Sequence, residues 1–158
     1  MDIPVWKERL ADLPLGELHL FEEVDSTNLV AEKLIQSGVE PFSLVAADSQ
    51  TSGKGRQGRD WITKPGQALA LSWILYPEVG RVQSEILGRI SGLGALAVAE
   101  TIQGKYGLDP EIKWPNDVLI EGRKVAGILV EVHWDGCSLQ DVILGIGINV
   151  GAESIPDD

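Results

Sequence analysis

Cysteine is almost missing from this 158-residue chain: Cys137 stands alone, so no internal disulfide framework can form. Histidine is nearly as scarce, and His19 and His133 are too scattered to make a zinc ligand cluster. No apolar stretch is long enough to span a bilayer, and Met1-Asp2-Ile3-Pro4 has no basic region leading into an apolar run. The chain is therefore expected in the cytoplasm, without a membrane partner. Basic residues are also in short supply, 13 against 24 acidic, for a net charge of −11. A body so negative repels a long polyanion, which argues against nucleic acid as a partner.

What is present suits one globular domain over residues 1–158, with 44% hydrophobic residues to build its core and no repeat, linker or low-complexity segment. Alternating apolar residues predict strands over 17–24, 43–47, 67–76, 111–114, 117–120, 124–133 and 139–150. Turns are expected at Glu121-Gly122-Arg123 and Asp135-Gly136. Asp25-Ser26-Thr27-Asn28 offers cap residues to a helix that runs to Ser37 and is stopped by Gly38. A second helix is predicted over 82–106, with Leu87, Ile90, Leu93 and Ala97 on its apolar stripe. Its small residues Gly92, Gly94 and Ala95 would let a sheet approach closely. The residues before Glu17 read as a short polar lead. Helices early and in the middle, with hairpins at the end, give an α+β class: a mixed, largely antiparallel sheet with helices on one face.

Three of the few cations, Lys54, Arg56 and Arg59, fall within six positions of one loop and alternate with Gly53, Gly55 and Gly58. Glycine lets backbone N–H groups approach a ligand and the cations add charge, so the loop suits a small anion, phosphate or carboxylate. Taken alone, such a segment also fits a solvated linker. It is not a P-loop, because Lys54 is followed by Gly55 and not by Ser or Thr. Nor does it open a helix as a dinucleotide fingerprint must.

Further on, Lys113-Trp114-Pro115-Asn116-Asp117 gathers a cation, an aromatic ring, an amide and a carboxylate around a break that also reads as a simple turn. Lys124 opens an apolar strand, where lysines commonly snorkel. On the last strand Gly145, Gly147 and Asn149 share one face, and Leu144, Ile146, Ile148 and Val150 share the other. The glycine face admits a planar group to the backbone or marks a bulge or a close helix contact. Ala68, Ala70 and Ser72 make a comparable small-residue face on the third strand.

Taken in order, Ser26-Thr27-Asn28, the segment from Gln50 to Trp61, Lys113-Trp114-Pro115-Asn116-Asp117, the segment from Arg123 to Glu131, and Gly145-Ile146-Gly147-Ile148-Asn149 resemble the catalytic domain of the biotin protein ligases. The likeness covers nearly everything from about residue 19 onward. It implies a class II synthetase-like fold and a ligase that joins biotin to ATP as biotinyl-5′-AMP, with Mg²⁺ neutralising the phosphates. The biotin is then passed to one lysine of a biotin carboxyl carrier protein. By the same resemblance Arg56 and Lys124 are catalytic; Ser26, Thr27, Asn28, Gln50, Lys54, Gly55 and Ser72 join them around biotin; Arg59, Trp61, Lys113, Asn116, Asp117 and Asn149 belong to the ATP side. No residue is assigned directly to metal. A homodimer through sheet edges is compatible with the family.

The pattern departs from the family at two points. Lys54 stands where arginine is common, which keeps the charge and loses the planar fork. The chain stops at Asp158, where family members continue into a small β-rich C-terminal domain, so it is expected to be either a fragment or a shortened member with weakened activity. The N-terminal DNA-binding helix-turn-helix is not expected either, so the resemblance is to a monofunctional member. Two other functions fit the same residues: a module that binds biotin or biotinyl-adenylate with little turnover, and a lipoate ligase, which the glycine and arginine loop disfavours.

Overall fold

In a computed structural model, which describes residues 2–77 and 85–151, the chain forms a seven-stranded sheet with three helices. The strands are β1 Leu18–Val24, β2 Leu44–Gln50, β3 Ala68–Leu75, β4 Pro110–Lys113, β5 Asp117–Ile120, β6 Arg123–Asp135 and β7 Ser138–Asn149, and the helices are α1 Ile3–Leu10, α2 Thr27–Gln36 and α3 Glu85–Tyr106. The sheet order is β1-β2-β3-β7-β6-β5-β4. Only β1 and β2 run parallel; every other neighbouring pair is antiparallel.

The α+β class and the mixed, largely antiparallel sheet are as the sequence predicts. The placement of the helices is not, because they divide between both faces. On one face Ala31 of α2 packs with Val45, Ile74 and Ile143. On the other, Ala95, Val98 and Ala99 of α3 pack on Val118, Ala126 and Ile128. The reason is legible in β7, where Val142, Ile143 and Leu144 follow one another: an unbroken apolar run needs cover on both sides.

The buried side of α3 also differs from the expected stripe. Leu93 is 64% exposed and Ala97 is exposed, while Gly94, Ala95, Val98 and Ala99 face the sheet. A helix this rich in apolar residues all round has no unique stripe, and the small residues decide the contact. A Cβ on Gly94 would come within 3.1 Å of Leu144 Cδ1, so glycine sets how closely helix and sheet approach. Residues 82–84 of the predicted helix lie outside the described residues.

The lead before Glu17 contains α1, capped by Asp2, whose side chain accepts from Val5 N at 3.2 Å, with proline in its first turn. Val150 is 71% exposed and takes no part in the core. The turn between β5 and β6 has positive φ at both Glu121 (51°) and Gly122 (75°), the backbone of a two-residue hairpin. Among the described residues no helix is long and apolar enough to cross a membrane.

Candidate active site

The site grows from the N-terminus of α2. Ser26 precedes the helix in extended conformation, yet its side chain makes no capping bond. The cap comes from β2 instead: Gln50 Oε1 accepts from Thr27 N at 2.8 Å and lies 3.2 Å from Thr27 Oγ1. Ser26, 2% exposed, is thereby left facing a cleft with its hydroxyl uncommitted to the helix. Gln50 Nε2 donates to Thr63 Oγ1 at 3.3 Å, which fixes the amide.

Behind these residues lies a hydrogen-bonded floor. Ser72, fully buried on β3, lies 2.8 Å from Thr27 Oγ1 and 2.6 Å from Asn28 Oδ1. Asn28 Nδ2 donates to Glu131 Oε2 of β6 at 2.6 Å. Gly145 belongs to this floor because an added Cβ would sit 2.5 Å from Asn28 Oδ1.

The basic loop folds over the cleft as a small hairpin. Gln50 pairs with Thr63 and Lys54 with Asp60 in antiparallel bridges, Gly55 N donates to Arg59 O at 2.7 Å, and one 3₁₀ turn spans Arg56–Gly58. Gln57 takes a left-handed φ of 59° in that turn, which non-glycine residues seldom adopt. The loop delivers Arg56, whose Nη1 donates to Asn116 Oδ1 at 2.5 Å, and Trp61, whose indole lies across paired glycines of β6 and β7. A Cβ on Gly147 would be 2.2 Å from Trp61 Cε2 and one on Gly127 2.9 Å from Cζ3. The planar group that the glycine face admits is thus the chain's own indole, with its N–H buried and making no hydrogen bond.

Lys124 does not snorkel freely. Its Nζ pairs with Asp117 Oδ1 at 2.8 Å and stands 5.3 Å from the Trp61 ring centroid, close enough for cation–π attraction. Asn116 Nδ2 donates to Asp117 Oδ1 at 2.9 Å, so neighbouring residues of one turn hold both Arg56 and Lys124. The backbone is tied in as well, Ile128 N donating to Asn116 O at 2.8 Å. The turn reading of this segment is correct, and the turn tethers two cationic side chains.

Two of the cavities along the loop gather most of these residues. The inner one is lined by Ser26, Thr27, Asn28, Gln50, Lys54, Gly55, Arg56 and Lys124, with Ser72 buried beneath. The outer one lies between the loop and the turn and takes in Arg59, Asp60, Trp61, Asn116 and Asp117. Gly55, Arg56, Trp61, Asn116 and Lys124 line both. Lys113 is exposed on β4 and lines neither. Asn149 also stays outside, its Nδ2 donating to Lys124 O at 3.1 Å, where it steadies the start of β6. Glu131 was given no role by the sequence, although its place beside Asn28 follows from the strand parity that puts residues 127, 129 and 131 on one face.

Over residues 20–149 the chain matches the model of the biotin/lipoate A/B protein ligase family. It belongs to that family. It is 36% identical to the bifunctional ligase/repressor BirA of Bacillus spizizenii over 91% of this chain and 44% of that protein. It is 38% identical to a biotin ligase for acetyl-CoA carboxylase from Paracoccus denitrificans, over 83% of this chain and 53% of that one. Among solved structures, the Aquifex aeolicus biotin protein ligase in complex with biotin and ATP superposes with a TM-score of 0.71 at 33% identity, covering 89% of this chain and 55% of that one. The chain thus spans about half the length of these relatives.

Proposed function

We propose that the two cavities hold biotin and ATP, and that the chain carries the chemistry of a biotin protein ligase. The observation that supports this best is the shared wall. Arg56 and Lys124 stand where the cavities meet, so a carboxylate in the inner one and an α-phosphate in the outer one would face each other across two cations. A carboxylate oxygen of biotin attacks the α-phosphorus; the new O–P bond forms as the bond to the β-phosphate oxygen breaks, and pyrophosphate leaves. Two anions resist that approach, and fixed cations in a partly dehydrated cleft offset the repulsion. In the second step a neutral lysine amine of a biotin carboxyl carrier protein attacks the acyl carbon, AMP departs, and the amine loses its proton.

The tethers matter to the rate. Because Asn116 and Asp117 already hold the cationic heads, little side-chain reorganisation accompanies the reaction. The neutral end of the inner cavity, Ser26, Thr27 and Gln50, suits the uncharged ureido ring.

Among the described residues no group of three or more His, Cys, Asp or Glu is arranged to hold a metal. Mg²⁺ needs no such cage when substrate phosphates supply most of its ligands, and Asp60 and Asp117 are the carboxylates lining the outer cavity. Bound there with the nucleotide, it would neutralise phosphate charge.

Pyrophosphate release on mixing the chain with biotin, ATP and Mg²⁺ tests the proposal. Release that depends on biotin supports it. Biotin binding without release would reduce the chain to a binding module, and release with lipoate in place of biotin would reassign the substrate.

A further inference from the structure

We infer that Glu131 is a positioning residue that fixes the direction of every proton in the floor of the inner cavity, so that the floor offers acceptors and selects a ligand bearing N–H donors. This rests on the biotin reading for the ligand's name, but not for the geometry.

The argument is one of counting protons. An ionised carboxylate only accepts, so Asn28 must turn its NH₂ toward Glu131 Oε2, 2.6 Å away. Its Oδ1 then points inward, lodged against the bare backbone at Gly145 and 2.6 Å from Ser72 Oγ. Reversing the amide would set its oxygen against the carboxylate. Ser72 has a single proton, and at that distance it must donate it to Asn28 Oδ1, since two acceptors so close repel.

The Ser72 oxygen, 2.8 Å from Thr27 Oγ1, therefore accepts, and Thr27 donates. Gln50 Oε1, farther from Thr27 Oγ1 at 3.2 Å, already accepts from Thr27 N at 2.8 Å. The Thr27 hydroxyl has thus given up its proton to Ser72, and its remaining lone pairs are what a ligand meets. A cyclic urea, with N–H donors at its edge, matches; a lipoate dithiolane, which has none, does not. Glu131 does this from outside the inner cavity: it borders an adjoining space along the loop, with Lys54, Arg56 and Leu129, and acts through Asn28.

Glu131→Leu, Asn28→Asp and the double change Asn28→Asp with Glu131→Gln, each titrated with biotin by calorimetry, test the inference. Glu131→Leu is expected to weaken biotin binding about tenfold or more, the scale of losing a hydrogen bond to a charged group. The loss should fall on Kd and KM for biotin and not on kcat. Asn28→Asp sets two carboxylates together and should weaken binding further; adding Glu131→Gln restores a donor between them and should recover about tenfold. A double variant no tighter than Asn28→Asp, or a folded Glu131→Leu within about twofold of the parent, overturns the inference. Should Glu131→Leu fail to fold, the double variant decides. Should the parent bind no biotin, the functional reading falls, and the Asn28 side-chain amide signals in ¹H–¹⁵N spectra decide for Glu131: they must move in Glu131→Gln, and unmoved signals refute it.

Discussion

At the scale of single residues, Lys124 separates two readings of one side chain. A snorkelling lysine hands its ammonium to water; here the ammonium is bound to Asp117 at 2.8 Å above the Trp61 ring. Lys124→Gln is expected to lower the single-turnover rate of biotinyl-adenylate formation by about tenfold or more, since a fixed charge is lost from the junction. Lys124→Arg should rescue only part, because a planar head cannot occupy the same point above the glycines. Melting temperatures should hardly move, as for most partly exposed substitutions. Near-parental rates in both variants would leave Lys124 without a catalytic role. Gly147→Ala makes a different forecast. Its methyl group would meet the Trp61 ring at 2.2 Å, so the urea midpoint should fall by the equivalent of about 1–3 kcal/mol, as in overpacked cores. An unchanged midpoint would show that the indole moves aside freely.

At the scale of elements, the hairpin of β6 and β7 carries a titrating group away from the cleft. His133 Nδ1 lies 2.5 Å from Asp141 Oδ1, and Nε2 lies 3.9 Å from Glu32 of α2. The hydrogen bond to Asp141 raises the His133 pKa above its ordinary value; burial opposes it, and the charges of Asp141, Glu32 and Glu131 add to it. The same Asp141 charge adds to the burial that raises Tyr76. A histidine whose pKa is raised on folding stabilises the fold fully below the unfolded value near 6.5, and that contribution is lost as pH climbs through the raised folded value. The melting temperature should therefore decline across that window, and His133→Asn should flatten the decline. Equal slopes in both proteins would remove the linkage. The basic loop makes a separate forecast: residues 51–64 should exchange amide hydrogens quickly alone and slowly with biotinyl-adenylate, since a short hairpin closed by few backbone bonds opens readily and a bound anion adds contacts to its crowded cations. Identical exchange in both states would deny the loop any clamping role.

At the scale of the whole molecule, one strand ties the two cores together. Ile143 faces the α2 cluster and Leu144 the α3 cluster, so both cores pack on the same strand and are expected to unfold together. Ile143→Ala should cost about 2–5 kcal/mol and shift near-ultraviolet and far-ultraviolet unfolding curves by the same amount. Curves that separate would mean independent halves. That β7 joins two cores was written in Val142, Ile143 and Leu144, as several residues that line the two cavities were written in the glycine loop and in Asn116 and Asp117. Less legible was anything decided by contact across the fold. Gln50 capping α2 joins residues far apart in sequence, and no local pattern announces it. The buried side of α3 hung on which small residues met the sheet, and hydropathy favoured Leu93 instead. The helix before Glu17 was missed although Asp2 and Pro4 signal a start, because its apolar residues bury little and leave a weak periodicity.

The indole of Trp61, pressed on Gly127 and Gly147 beneath a lysine ammonium, gives the molecule a built-in optical gauge. A guest that reaches the glycines must lift, tilt or cover that ring, and one that draws Lys124 toward its own negative charge withdraws a cation from the ring's face. Either event alters the polarity around the fluorophore and with it the colour of its emission. The cleft can thus report its own occupancy in unlabelled protein.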